Sequence, residues 1–125
     1  MIDKIKTLNA SVGGYMGYSF AVEINFQKTL AEYKVFDRGY EPKSTKTVKL
    51  LKIKIANFLK TLNTIKITEW KECYPNPGIM DGTNWGTEIN FNNNEKLISS
   101  GDNAFPRQWK TFCNGIQELI GKDFG

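Results

Sequence analysis

The chain of 125 residues contains no histidine. Histidine is the usual general base, proton shuttle and metal ligand near neutral pH. Its absence excludes Ser-His-Asp and Cys-His catalysis and most zinc sites, and does not remove carboxylate-only mechanisms. Arginine is almost as scarce. Arg38 and Arg107 are the only two, so the net charge of +4, from 17 Lys and Arg against 13 Asp and Glu, is carried by lysine. Lysine gives solubility and diffuse attraction to anions, whereas the planar fork of arginine reads phosphate and carboxylate in two-point fashion. Specific nucleic-acid binding is therefore not expected, and a basic chain is not an acidic mimic of DNA. No segment approaches the run of ~20 apolar residues that a membrane span needs, and the opening MIDKIKTLNASVGG lacks the apolar core of a secretory leader. A cytoplasmic protein without membrane contact is the expectation. The two cysteines, Cys73 and Cys113, lack CxxC spacing and are expected as free thiols. Neither a metal nor a cofactor is called for.

What is present suits one compact domain. The hydrophobic fraction is 40% and the aromatic fraction 13%, enough for a core in a chain of this length without disulfides or metals. Residues 19–26 alternate, with Phe20, Val22, Ile24 and Phe26 opposite Ser19, Ala21, Glu23 and Asn25, as in a half-buried antiparallel strand. Residues 4–12 alternate less cleanly before Gly13–Gly14, which can close a hairpin, and residues 30–37 follow as a third strand. Between residues 47 and 62 the spacing becomes helical: Val48, Leu51, Ile55, Phe58, Leu59 and Leu62 predict an amphipathic helix of about four turns. A brief alternation over 65–70 precedes a Pro- and Gly-bearing loop. Trp85, Thr87, Ile89 and Phe91 then define another strand, and the triple Asn92–Asn94 suits a hairpin turn returning through 96–100. Pro106 fits the first turn of a last helix, whose apolar stripe is Trp109, Phe112, Cys113, Ile116, Leu119 and Ile120.

The tetrapeptide EINF occurs twice, at Glu23–Phe26 and Glu88–Phe91, and each copy is followed by a return strand and a helix. The predicted fold is accordingly α+β: a two-layer sandwich in which an antiparallel sheet of about five strands carries two amphipathic helices on one face. The chain is expected to be one domain over 1–125, as a ββα pseudo-repeat with halves of roughly 1–64 and 65–125.

Trp70, Tyr74, Asp81-Gly82, Trp85 and the Gly101-x-Asn103-Ala104-x-Pro106 segment together resemble a recurrent small domain of bacterial and phage proteins, marked by W…Y…DG..W…G.NA.P. The resemblance covers roughly residues 66–121. It implies an α+β fold and a bacterial or phage setting, and it transfers no catalytic residue.

Candidate functional residues fall into two groups. Tyr15 and Tyr18 in GGYMGY, with Arg38 and Tyr40 in FDRGY, set aromatics and a guanidinium beside glycines, as interface hot spots do. Trp85 joins them as a further candidate. Asp102, Asn103 and Arg107 surround a helix start, where they either hold an anion or simply cap the helix. Glu69, Glu72, Asp81 and Glu88 would have to converge for carboxylate catalysis. The leading expectation is a non-catalytic protein that acts by occupying a protein partner, such as an inhibitor of a defence system or an immunity protein. The alternatives are a sponge or sensor for an anionic nucleotide and, last, a carboxylate-dependent enzyme.

Overall fold

The computed structural model describes residues 4–14, 17–37, 42–75, 78 and 82–125. Four strands come first: β1 (Ile5–Gly14), β2 (Tyr18–Asn25), β3 (Leu30–Asp37) and β4 (Pro42–Lys49). Helix α1 (Lys52–Thr64) and a 3-10 turn (Ile67–Glu69) follow, then β5 (Cys73–Tyr74), β6 (Thr83–Phe91), β7 (Lys96–Asp102) and helix α2 (Trp109–Ile120). The strands form one sheet in the order β4-β3-β2-β1-β6-β7-β5. The fold is α+β, but the sheet has seven strands, not about five, and it is mixed because β5 runs parallel to β7.

One face of this sheet carries the core. Along β1 the buried residues are Leu8, Ala10 and Val12, and the register sets Leu8 between Ile24 and Ile89, and Ala10 between Val22 and Thr87. Farther out, Tyr33 lies opposite Val22, Ala31 opposite Ile24 and Ser99 opposite Thr87. Both helices close on this face. Phe58 and Leu62 of α1 are buried with Phe112, Ile116, Leu119 and Ile120 of α2, and Phe58 meets both Phe26 and Phe112 ring to ring. The Tyr33 hydroxyl donates to the Asp123 carbonyl at 2.6 Å, pinning the chain beyond α2 to the sheet.

The uneven alternation of residues 4–12 has a cause in the register. Ile5 pairs with Phe91 but Thr7 with Asn90, so Lys6 is an extra residue in a bulge. A bulge shifts the phase by one, and Ile5 and Leu8 can both be buried. Gly13 and Gly14 do not form a hairpin turn; they pair with Asn84 and Thr83 as the end of β1.

Residues 42–51 overturn the predicted helix start. Val48 belongs to β4 and Leu51 is exposed just before α1, so the helix begins at Lys52 rather than at residue 47. An edge strand buries little. Only Ser44 and Val48 of β4 are even half-buried, so no alternation marks it, while Val48 and Leu51 fall at helical spacing with Ile55 by accident. Thr45, Thr47 and Val48 are β-branched, and pairing with β3 gives them a ladder no helix offers. Likewise the alternation of 65–70 is no strand: Ile65 and Ile67 are buried in a turn and the 3-10 segment.

The W…Y…G.NA.P letters form a packing unit. Trp85 lies in the core at 3% exposure, 5.9 Å from Trp70, 5.6 Å from Tyr74 and 4.7 Å from Trp109 between ring centroids. Its indole N–H donates to the Ala104 carbonyl at 2.7 Å. A Cβ at Gly101 would meet that carbonyl at 2.3 Å and the indole nitrogen at 2.5 Å, and one at Gly82 would meet the Asn103 Cβ at 2.4 Å. Both positions admit only glycine for want of space. Gly101→Ala is therefore expected to lower stability by roughly 2–4 kcal/mol through overpacking and a strained indole bond. Phe112→Ala should cost about 3–5 kcal/mol as a cavity in the core. Shifts in the urea midpoint at constant slope check both.

Candidate functional site

Because both helices lie on one face, the other face of the sheet is bare among the described residues. Its side chains are the polar partners in the alternation, and they stand in cross-strand rows. Asn9 of β1 sits between Glu23 of β2 and Glu88 of β6, with Glu32 beyond Glu23 and Ile98 beyond Glu88. The next row is Lys34, Ala21, Ser11, Gly86 and Ser100. Small residues on the three middle strands, flanked by longer side chains on β3 and β7, make a trough of about 420 Å³. It continues past Gly13, Ser19, Phe36 and Asn84 toward the end of the sheet where β2 begins.

The two EINF copies explain the symmetry of this floor. They lie on either side of β1, both antiparallel to it and level with each other: Glu23 and Glu88 flank Asn9, Ile24 and Ile89 flank Leu8, and Asn25 and Asn90 flank Thr7. Each copy meets the same central strand and so faces the same demand, an apolar residue inward and acceptors outward. Asn90 donates to the Thr7 hydroxyl at 3.0 Å, while Asn25 accepts from the backbone of Lys28 at 2.9 Å.

Charge on the bare face is mostly paired. Lys34 meets Glu32 at 3.2 Å and Lys96 meets Glu88 at 3.7 Å, both at partly exposed positions where such pairs contribute little to stability. The Asn9 side-chain oxygen is buried without a hydrogen-bond partner among the described residues. No group of three or more His, Cys, Asp and Glu side chains among the described residues is placed to hold a metal ion.

The residues picked out in the sequence are dispersed. Tyr15, Arg38, Tyr40 and Asp81 lie outside the described residues. Tyr18 is 52% exposed at the start of β2, with the Lys43 ammonium donating to its hydroxyl at 3.3 Å and standing 4.9 Å from its ring. Trp85 is turned into the core and offers no surface. Asn103 is half-buried in a left-handed turn, its N–H on the Thr83 carbonyl, and Arg107 is exposed. Neither Asp102 nor Asn103 caps α2, because the helix starts at Trp109 and its cap position is Gln108, with no side-chain cap bond. Glu72 lies ahead of β5 and Glu88 on β6, with β7 between, while Glu69 is on the 3-10 turn. The fold does not gather these three carboxylates. Asn9, Ser11, Ala21, Gly86 and Ser100 were not singled out, although the polar phases of β2 and β6 held Ala21 and Gly86.

The buried hydroxyl and thiol have shifted acidities. Burial, and then the charge of Asp123, raise the pKa of Tyr33. Burial pushes the Cys113 thiol up to about 12 from an ordinary 9.0. Cys73 is exposed and free.

No known protein-family model matches the chain, and no curated protein matches it.

In the native state Cys73 should react with an aromatic disulfide reagent at neutral pH while Cys113 stays protected until denaturant is added; a thiol titration reads both. The raised Cys113 pKa also sets a sign for pH dependence. Below pH 9 the thiol is neutral in the folded and unfolded chain, and its contribution to stability is complete. Between 9 and about 12 the unfolded chain ionises first, so stability falls as pH rises. Cys113→Ala should flatten that part of the slope in urea midpoints measured across the range.

Proposed function

We propose that the chain is a non-catalytic binding protein that acts by occupying a protein partner, of the kind that inhibits a defence system or neutralises a toxin. The supporting observation is the bare face of the sheet, a trough open along its length with a floor of small side chains. Such a floor lets a partner's backbone or helix approach closely. The five strands from β3 to β7 span four spacings, roughly 19 Å, and an α-helix with its side chains is about 10–12 Å across. A small ligand would need enclosure, and the trough supplies two walls and no roof.

Area decides how far the surface extends. Five strands paired over about seven residues give roughly 450 Å², against about 800 Å² per partner in a stable complex. The bare face alone is too small. The working surface therefore continues past Phe36 and Asn84 and wraps over the sheet end to Tyr18. Tyr18 lies on the face of Phe20 and Val22 and has the Lys43 ammonium beside its ring, an aromatic with a cation that makes a strong anchor.

Ser11→Tyr fills the floor with a good strand former at an exposed position, and Lys60→Ala, at an exposed position of α1 on the other side of the sheet, serves as control. In pull-downs from the native host, wild type and the control should retain the same partner. Ser11→Tyr and Tyr18→Ala should lose it with unchanged melting temperatures. Equal capture by Ser11→Tyr and wild type would remove the trough from consideration. Saturable thermal stabilisation by a cyclic or dinucleotide ligand would transfer the function to small-anion binding.

A further inference from the structure

The sheet has a second unfinished feature, its β4 edge. β4 is eight residues long and, among the described residues, pairs only with β3. In an antiparallel pair, alternate residues direct both main-chain groups to the neighbour and the others direct them outward. The Leu50 N–H on the Thr29 carbonyl, at 2.8 Å, continues the β3–β4 register and marks the even-numbered residues as the inward set. Thr45, Thr47 and Lys49 therefore present their N–H and C=O groups away from the sheet, and all three are exposed. Nothing among the described residues extends the ladder.

The chemistry along this edge has one sign. β4 carries Lys43, Lys46 and Lys49 and no acid, and Lys46 and Lys49 have no ion-pair partner among the described residues. Where the strand ends, Leu51 is 59% and Ile53 66% exposed, the two most exposed large hydrophobics described. Open main-chain groups, unpaired lysines and bare aliphatics thus lie along one line of chain.

We propose that the β4 edge takes an extended acidic segment of a partner protein as an added strand, its carboxylates opposite Lys46 and Lys49 and an apolar residue against Leu51 and Ile53. This names the partner's chemistry and rests on the protein-binding reading, at a surface separate from the trough. Main-chain bonds supply the attachment in this mode of recognition, and flanking side chains supply the choice of sequence. A second copy of the chain is the wrong occupant, since two β4 edges would set lysine rows against each other. The same lysines that discourage self-pairing select for an acidic strand.

The probe is an acetylated peptide as long as β4, built of Val and Thr with two Glu three residues apart so that one carboxylate falls on each face, as Lys46 and Lys49 do, and ending in Leu; it is compared with its Lys-for-Glu counterpart. The expected result is saturable binding of the Glu peptide, weakened by added salt, with new hydrogen-exchange protection at the Thr45, Thr47 and Lys49 amides. Lys46→Glu with Lys49→Glu should weaken it by about tenfold or more, as loss and reversal of two exposed charge pairs implies. Thr47→Pro removes an outward donor and spares the β3 ladder, so it should abolish binding at unchanged melting temperature, whereas Thr47→Val should bind as wild type. Ser11→Tyr should bind the peptide normally, which separates failure of the edge from failure of the trough. Equal affinity for both peptides, protection confined to the bare face, or concentration-dependent protection of β4 without peptide would overturn the proposal.

Discussion

The structure depends on β1 having two neighbours. Pairing with β2 is local and follows directly from the chain, but pairing with β6 joins residues about eighty apart in sequence and makes one sheet of two segments. Without that long-range ladder Leu8 and Ala10 would keep only Ile24 and Val22 beside them and lose Ile89 and Thr87 from their other side. Closing so distant a contact is entropically expensive, and it is offset by a core that is continuous across the joint. The bulge at Lys6 fits in here, because it brings Ile5 and Leu8 onto the same face beside Phe91 and Ile89.

A sheet covered on one face only has a directional consequence. Every strand that crosses the centre must be apolar on one side and polar on the other. The polar side is then free to be shaped without disturbing the core. That freedom is visible at Ser11, Ala21, Gly86 and Ser100, where small residues hollow the face, and at the paired charges that rim it. The face that carries the core and the face left free to vary are thus opposite sides of the same strands.

Much of this was legible in the sequence. The residues of β2, β6 and α2 read clearly because each repeats at the period of its structure, and the asparagine triplet foretold a turn in which Asn94 takes φ 70° and Asn93 accepts from the Glu95 N–H. β4 was not legible, because an edge strand with Lys and Thr on both sides carries no burial pattern. β5 was too short to carry one. The bare face was half legible: the polar phase named Glu23, Asn25, Glu88 and Asn90, but only the register shows that these stand level across β1. Trp85 illustrates the opposite error, an aromatic beside glycines that is held inside by Trp70, Tyr74 and Trp109.

The glycines at 82 and 101 have a meaning beyond their own turns. Gly101 yields to the Trp85 indole and the Ala104 carbonyl, and Gly82 yields to Asn103, so those letters record a collision avoided. Chains that share them will share this aromatic corner whatever they bind. Kinship judged by that signature sorts scaffolds; the outward letters of β1, β2 and β6 are held more loosely, since a Cβ at Gly86 meets nothing closer than 3.8 Å, although one at Gly13 would run into Ser19.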